Sequence, residues 1–166
     1  MNDAEDIVTL IPRLRRYARA LAGDRSAAED LVQDTLERAW SKFHLFQRGT
    51  DLRAWLFTVM HNVYVNQLRA ARPAVPLEDE MPELARPARE TDMLVLRDLD
   101  AAIRRLPLEQ REVLLLVALE DMSYDQAARA LEIPIGTVMS RLARAREKLR
   151  AMLSGLPPGG KLKIVK

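Results

Sequence analysis

Side chains suited to gripping nucleic acid collect in one stretch near the C-terminal end. From Gly136 to Arg150, helical spacing puts Gly136, Thr137, Ser140, Ala143, Arg144 and Glu147 on one side, flanked by Arg141, Arg146 and Lys148. Small polar residues along the middle of a helix let it sit deep in a groove, and cations at its margins meet phosphates. The opposite side carries Val138, Leu142, Ala145 and Leu149 at about 100° per residue, an apolar stripe that must face a core. Other chemistry has few residues to work with. The chain has no cysteine and only two histidines, His44 and His61, far apart in sequence. Disulfides and thiolate metal sites are thereby excluded, and a lone histidine is far more often structural than a metal ligand. No glycine-rich phosphate cradle is present.

The element that positions the basic helix precedes it directly. Ser123 can cap a helix, with Gln126 three residues on as a capping box requires. Ala127, Ala128 and Leu131 give that helix a small apolar face, which lets a second helix approach closely. Glu132 to Ile135 is a turn, and Pro134 stops the first helix or opens the second. Together the two read as a helix-turn-helix with Gly136 to Arg150 as recognition helix. On pattern and charge alone, a solvated basic helix on an ordinary bundle fits as well.

Composition bounds the rest. The chain has 166 residues, 48% hydrophobic and 5% aromatic, which suits an all-α protein with Leu-Ala cores. Lys and Arg total 26 against 24 acids, a net charge of +2, so any basic surface comes from segregated charge. No apolar run approaches the roughly 20 residues that span a bilayer. The acidic start, MNDAED, lacks a signal-peptide pattern, so a cytoplasmic location is expected, with no membrane insertion.

Five further helices are expected. Asp6 to Ala22 carries Ile7, Leu10, Ile11, Leu14, Ala18 and Leu21 at helical spacing. Pro12 interrupts it as a possible start of the regular helix, and Gly23 ends it. Its arginines Arg13, Arg15, Arg16 and Arg19 read as solvated. Ser26 and Glu29 suggest a capping box for a helix from Ala27 to Phe43, with Leu31, Thr35, Leu36, Ala39, Trp40 and Phe43 inward. Its outer stripe, Asp30, Gln33, Asp34 and Glu37, reads on periodicity as a solvated face. His44 to Asp51 is a loop, whose Leu45 and Phe46 either tuck against the core or offer a stacking platform for unpaired bases. Leu52 to Arg72 is a long helix with Trp55, Leu56, Val59, Val63 and Leu68 as its core side. Its Arg53, His61, Asn62, Asn66, Gln67, Arg69 and Arg72 suit either bases and phosphates or plain solvent.

Pro73 to Arg89 contains Pro73, Pro76, Pro82 and Pro87, which prevent a regular helix, with acids between them. The expected organisation is therefore two small helical domains, 1–72 and 91–154, joined by a Pro-rich linker over 73–90 and followed by a flexible tail, 155–166. Thr91 opens a helix to Leu106. Leu108 to Leu119 is a buried helix leading into the helix-turn-helix.

Two motifs in this order resemble a known family. One is Ala28 to Trp40 (AEDLVQDTLERAW), followed by Gly49 to Leu56 (GTDLRAWL) and His61-Asn62. The other is Leu106 to Glu112 (LPLEQRE), then Ser123-Tyr124, then Pro134 to Arg146 (PIGTVMSRLARAR). The chain resembles bacterial RNA polymerase sigma factors of the extracytoplasmic-function class over nearly its whole length.

The resemblance implies roles that spacing does not. Asp30, Gln33, Asp34 and Glu37 correspond to a surface that docks on core RNA polymerase. Phe46, Gln47, Arg48, Asn62, Asn66 and Arg69 correspond to the region that captures a flipped base of the melted minus-ten element. Pro134, Gly136, Thr137, Met139, Ser140, Arg141, Arg144, Arg146 and Lys148 correspond to the reader of the minus-thirty-five element. Met139 stands where many relatives have a basic residue, and Glu132 where the turn often has glycine, which implies a different turn conformation.

The function implied is promoter selection by core polymerase, without cofactor or small-molecule substrate and with an anti-sigma protein as a further partner. The alternative is a free-standing helix-turn-helix regulator, which leaves the first 72 residues without a task.

Overall fold

The computed structural model describes residues 3–71 and 91–154, and side chains within 4–71 and 97–154. The expected linker and tail lie outside these residues, as do the side chains of Leu94 and Leu96. Among the described residues there are seven α-helices and no strand.

Helix α1, Asp3–Ala22, runs straight through Pro12, which is exposed. The regular helix thus begins before the proline. Gly23 ends it at φ +77°, and a Cβ there would come within 3.0 Å of the Arg104 side chain, so the turn is pressed against a later helix. Asp24, not Ser26, is the N-cap of α2, Arg25–Ser41: its carboxylate accepts from the Ala27 N–H at 3.1 Å. A single 3-10 turn, Phe43–Leu45, follows, so Phe43, expected as the last residue of the helix, opens this turn instead. Asp51 then caps α3, Leu52–Ala70, accepting from the Ala54 N–H at 3.1 Å. Leu14, Leu21, Leu31, Leu56 and Met60, all fully buried, form the core where α1, α2 and α3 meet.

The second lobe starts with α4, Thr91–Arg105, and α5, Leu108–Leu114. The expected helix to Leu119 changes character at Leu115. Leu115–Leu119 is one π-helical turn, closed by the Glu120 N–H on the Leu115 carbonyl. The wider turn rotates the chain so that Glu120 lies inward, with 1% of its surface exposed.

Helix α6, Tyr124–Leu131, has the capping box in full: Gln126 N–H donates to Ser123 Oγ at 3.0 Å, and Ser123 N–H donates to Gln126 Oε1 at 2.9 Å. Helix α7, Ile135–Ser154, buries Val138, Leu142, Ala145 and Leu149 as its stripe requires. The turn between them keeps the left-handed conformation despite lacking glycine, with Glu132 at φ 56°. The different conformation expected for Glu132 is therefore not adopted.

The lobes do not stand apart. Helix α6 packs on α3 as well as on α7, and α1 meets α4 and the π turn. The small apolar face of α6 thus receives two helices, one from each lobe. Buried residues of both lobes form one continuous core.

Candidate nucleic-acid and polymerase interfaces

Three surfaces hold the residues singled out in the sequence. On α2, Asp30, Gln33, Asp34 and Glu37 are all exposed, the spacing of one outward stripe. Asp34 accepts from Gln67 Nε2 of α3 at 2.6 Å, and the two line a groove of about 590 Å³ with Glu37, Arg38 and Asn66. The acidic stripe thereby borders α3 directly.

The second surface surrounds the loop after α2. Phe43, Phe46 and Trp55 form an aromatic cluster with ring centroids 5.3–6.0 Å apart. Trp40 extends this cluster toward solvent at 61% exposure, contrary to its expected inward position; Ala39 beside it takes the buried place in the last turn of α2. Leu68, also expected inside, is exposed at the far end of α3.

A cleft of about 650 Å³ opens beside the cluster, lined by Lys42, Trp55, Asn62, Asn66, Arg69 and, from the other lobe, Glu132. Asn62, Asn66 and Arg69 are exposed and share this cleft. Phe46 is half-buried in the aromatic cluster next to it, and Gln47 and Arg48 lie exposed on the loop. An aromatic wall, two amides and cations can hold a single base by its face, its edge and its phosphate.

The third surface is the outer side of α7. Gly136, Met139, Ser140, Arg144, Arg146 and Lys148 are exposed, as is Pro134 in the turn, whereas Thr137 and Arg141 are half-buried. Arg141 leans toward Glu109, 3.9 Å away.

A fourth group escaped the sequence reading and joins the two lobes. Arg16, expected in solvent, pairs with the buried carboxylate of Glu120 at 3.1 Å. Arg53 donates to the Glu120 carbonyl at 3.0 Å and to Gln126 Oε1 at 3.4 Å. Gln126 Nε2 donates to Asp51 Oδ2 at 2.9 Å. His61 Nδ1 donates to Glu112, a residue only 3% exposed. Arg111 donates to the Leu21 carbonyl at 2.7 Å and to the Arg104 and Leu106 carbonyls, so one guanidinium satisfies carbonyls at the C-terminal ends of α1 and α4. The hydrogen bond to Glu112 raises the pKa of His61 above its ordinary value, against the opposing effect of burial. Burial likewise pushes the Tyr17 hydroxyl well up, so it stays neutral. The sequence signal for this group was weak: charged residues inside apolar runs, at Glu112 and Glu120.

Two family models match the chain in order: the Sigma2 domain of PhyR over residues 7–61 and the Sigma-70 region 4 over residues 96–149. The ECF RNA polymerase sigma factor EcfG of Rhodopseudomonas palustris is 39% identical over 153 residues, covering 90% of this chain and 83% of that one. The chain belongs to the ECF RNA polymerase sigma factors.

SigM of Mycobacterium tuberculosis, another ECF sigma factor, is 35% identical over 89% of this chain and 74% of its own length. Among solved structures, the Bartonella quintana sigma factor RpoE, crystallised with the anti-sigma factor NepR, superposes with a TM-score of 0.74. It is 33% identical, covering 93% of this chain and 98% of that one. CnrH, solved in complex with the cytosolic domain of CnrY, gives a TM-score of 0.70 at 27% identity, over 93% and 88% of the two chains. For this ECF sigma factor, the region 4 match contains α6 and most of α7, and the Sigma2 match contains most of α1, all of α2 and the first half of α3. The first 72 residues thus have a task that a free-standing regulator would not give them.

Proposed function

We propose that this sigma factor loads core RNA polymerase onto promoters through three surfaces, with the lobe interface controlling when they act together. The acidic stripe Asp30, Gln33, Asp34 and Glu37 docks on core polymerase. The cleft of Asn62, Asn66 and Arg69, with the loop residues Phe46, Gln47 and Arg48, takes a base extruded from the melted minus-ten element. Extrusion costs a few kcal/mol, offset by contacts to the base's edge and face.

The outer face of α7 reads the minus-thirty-five duplex: Gly136, Thr137, Met139, Ser140 and Arg144 lie toward base edges. Pro134, Arg141, Arg146 and Lys148 lie toward the backbone. The chain contributes binding energy, and the polymerase contributes the chemistry. Its action is cytoplasmic, beside the polymerase.

The observation that carries this reading is the ordered pair of family matches, which take in the exposed faces of α2 and α7. The closed arrangement adds a requirement. A compact body of about 130 residues has a radius of gyration near 14 Å. About 25 base pairs separate the two promoter elements, roughly 85 Å at about 3.4 Å each. The lobes must therefore part before both elements are held. Glu132, standing in the wall of the base cleft, leaves it when they do. The charged and amide contacts between the lobes suit a reversible joint.

An anti-sigma protein is the further partner in this reading, supported by the similar Bartonella quintana RpoE, which was crystallised with the anti-sigma factor NepR. Run-off transcription with core polymerase on a genomic promoter library tests the reading. The expected result is a set of discrete start sites dependent on this chain. Core enzyme that starts no new transcript in the presence of the folded chain overturns it.

A further inference from the structure

Two large apolar side chains stand in solvent on a helix face otherwise given to small, polar and cationic groups. Ile135 is 48% exposed and Met139 51% exposed, one helical turn apart at the start of α7. Ala143, one further turn along the same side, leaves open space beside Met139, and Arg146 and Arg150 continue that flank with positive charge. A single exposed apolar residue has no special meaning. A pair at the N-terminal end of a recognition helix does, because that end meets base edges. In the major groove the one apolar feature on any base edge is the C5-methyl group of thymine.

We infer that Met139, with Ile135 beside it, reads thymine methyl groups in the upstream promoter element, an assignment that rests on α7 being the DNA reader. A thioether side chain is flexible and polarizable enough to follow the methyl surface. A cation at position 139 would instead bind a phosphate without regard to sequence. The chain thus gives up one backbone contact and gains preference for thymine. The two arginines on the same flank supply the phosphate grip that holds this side of the helix against the groove.

Uracil differs from thymine only by the missing methyl, so it isolates the contact. The preferred upstream duplex is selected from a randomised pool by transcription with core polymerase. Each thymine in it is then replaced in turn by deoxyuridine. At one or two positions, transcription by the natural chain should fall about fourfold, the factor supplied by burying one methyl-sized group. Met139→Ala should transcribe the thymine and uracil templates equally. Arg144→Ala should lower transcription yet keep the thymine-to-uracil ratio. Met139→Arg should lose the ratio and steepen the salt dependence of binding by about one phosphate contact.

Equal transcription of thymine and uracil templates by the natural chain at every position, with penalties for wrong bases intact, overturns the inference. So does a thymine-to-uracil ratio that survives Met139→Ala, including the case where that variant affects only binding of an anti-sigma protein. Failure of every duplex to support transcription overturns the DNA-reading assignment of α7 itself, and this inference with it.

Discussion

The carboxylate of Asp51 caps α3 with one oxygen and accepts the side-chain amide of Gln126 with the other, 3.1 and 2.9 Å away. Gln126 is itself the closing residue of the α6 capping box. One hydrogen-bond chain therefore serves two helix N-termini in different lobes. Removing a cap costs about 0.5–2 kcal/mol, and a net hydrogen bond about 1 kcal/mol. Gln126→Ala should destabilise the chain by roughly 1–2 kcal/mol in urea denaturation. A double-mutant cycle with Asp51→Ala should show coupling of about 0.5–1.5 kcal/mol, and additivity within about 0.3 kcal/mol would mean that the two caps act separately.

What the sequence made legible is local. The stripe Val138, Leu142, Ala145 and Leu149 is buried as its period demanded, and the Ser123–Gln126 box closes over three residues. Local ambiguity defeated the α2 cap, since Asp24 and Ser26 both qualify and the left-handed Gly23 decides which one meets the helix. The lobe joint was invisible for a different reason. Arg16 and Glu120 are 104 residues apart, and neither periodicity nor capping carries information over that separation. The α7 face was legible as a candidate DNA reader from its residue types, and the loop and α3 residues as one of two readings, whereas a docking role for the acidic α2 stripe was supplied by family likeness alone. Glu132 at φ 56° is a case of tertiary packing holding a conformation that a non-glycine residue adopts at a cost of about 1–2 kcal/mol.

His61 and Glu112 give the joint a pH dependence. His61 also faces Glu132, which raises its pKa further, and Arg141, which lowers it. A histidine whose folded pKa lies above its unfolded value adds stability below the unfolded value, and the gain is lost as pH rises through the folded one. The thermal midpoint should therefore be higher near pH 6 than near pH 8.5 by an increment that His61→Asn removes. A pH profile unchanged by that substitution would show that the pair does not hold the lobes.

Arg16 covers a carboxylate that has little other company. Glu120 is buried, and its Oε1 has no hydrogen-bond partner. Arg16 is itself about half exposed, so solvent screening reduces the pair's worth. Arg16→Ala should still cost about 1 kcal/mol, because it strands a buried charge. Adding Glu120→Gln should recover part of that loss. Chemical denaturation of the two variants checks the sign, and a further loss in the double variant would contradict it.

Asp34 tests polymerase docking without disturbing the core. It is exposed, and its hydrogen bond to Gln67 is on the surface. Asp34→Arg reverses the charge at the centre of the stripe and should weaken binding to core polymerase at least tenfold, about 1.4 kcal/mol. Far-ultraviolet circular dichroism should remain unchanged. Undiminished affinity in titrations with core enzyme would remove α2 from the docking surface.

The requirement that the lobes part can be tested by preventing it. The chain has no cysteine of its own, so an introduced pair is the sole target for a thiol reagent. Asp51→Cys together with Gln126→Cys places one thiol on each side of the joint, where the natural side chains touch at 2.9 Å. A short, cleavable bis-maleimide should bridge them. The bridged protein should lose most of its run-off transcription, while each single variant treated with the same reagent keeps its own level. Cleaving the bridge should restore activity, which separates locking from damage to the caps. A bridged protein that initiates as fast as its cleaved form would mean that the closed arrangement already holds both promoter elements, and the length argument from about 85 Å of DNA would fail.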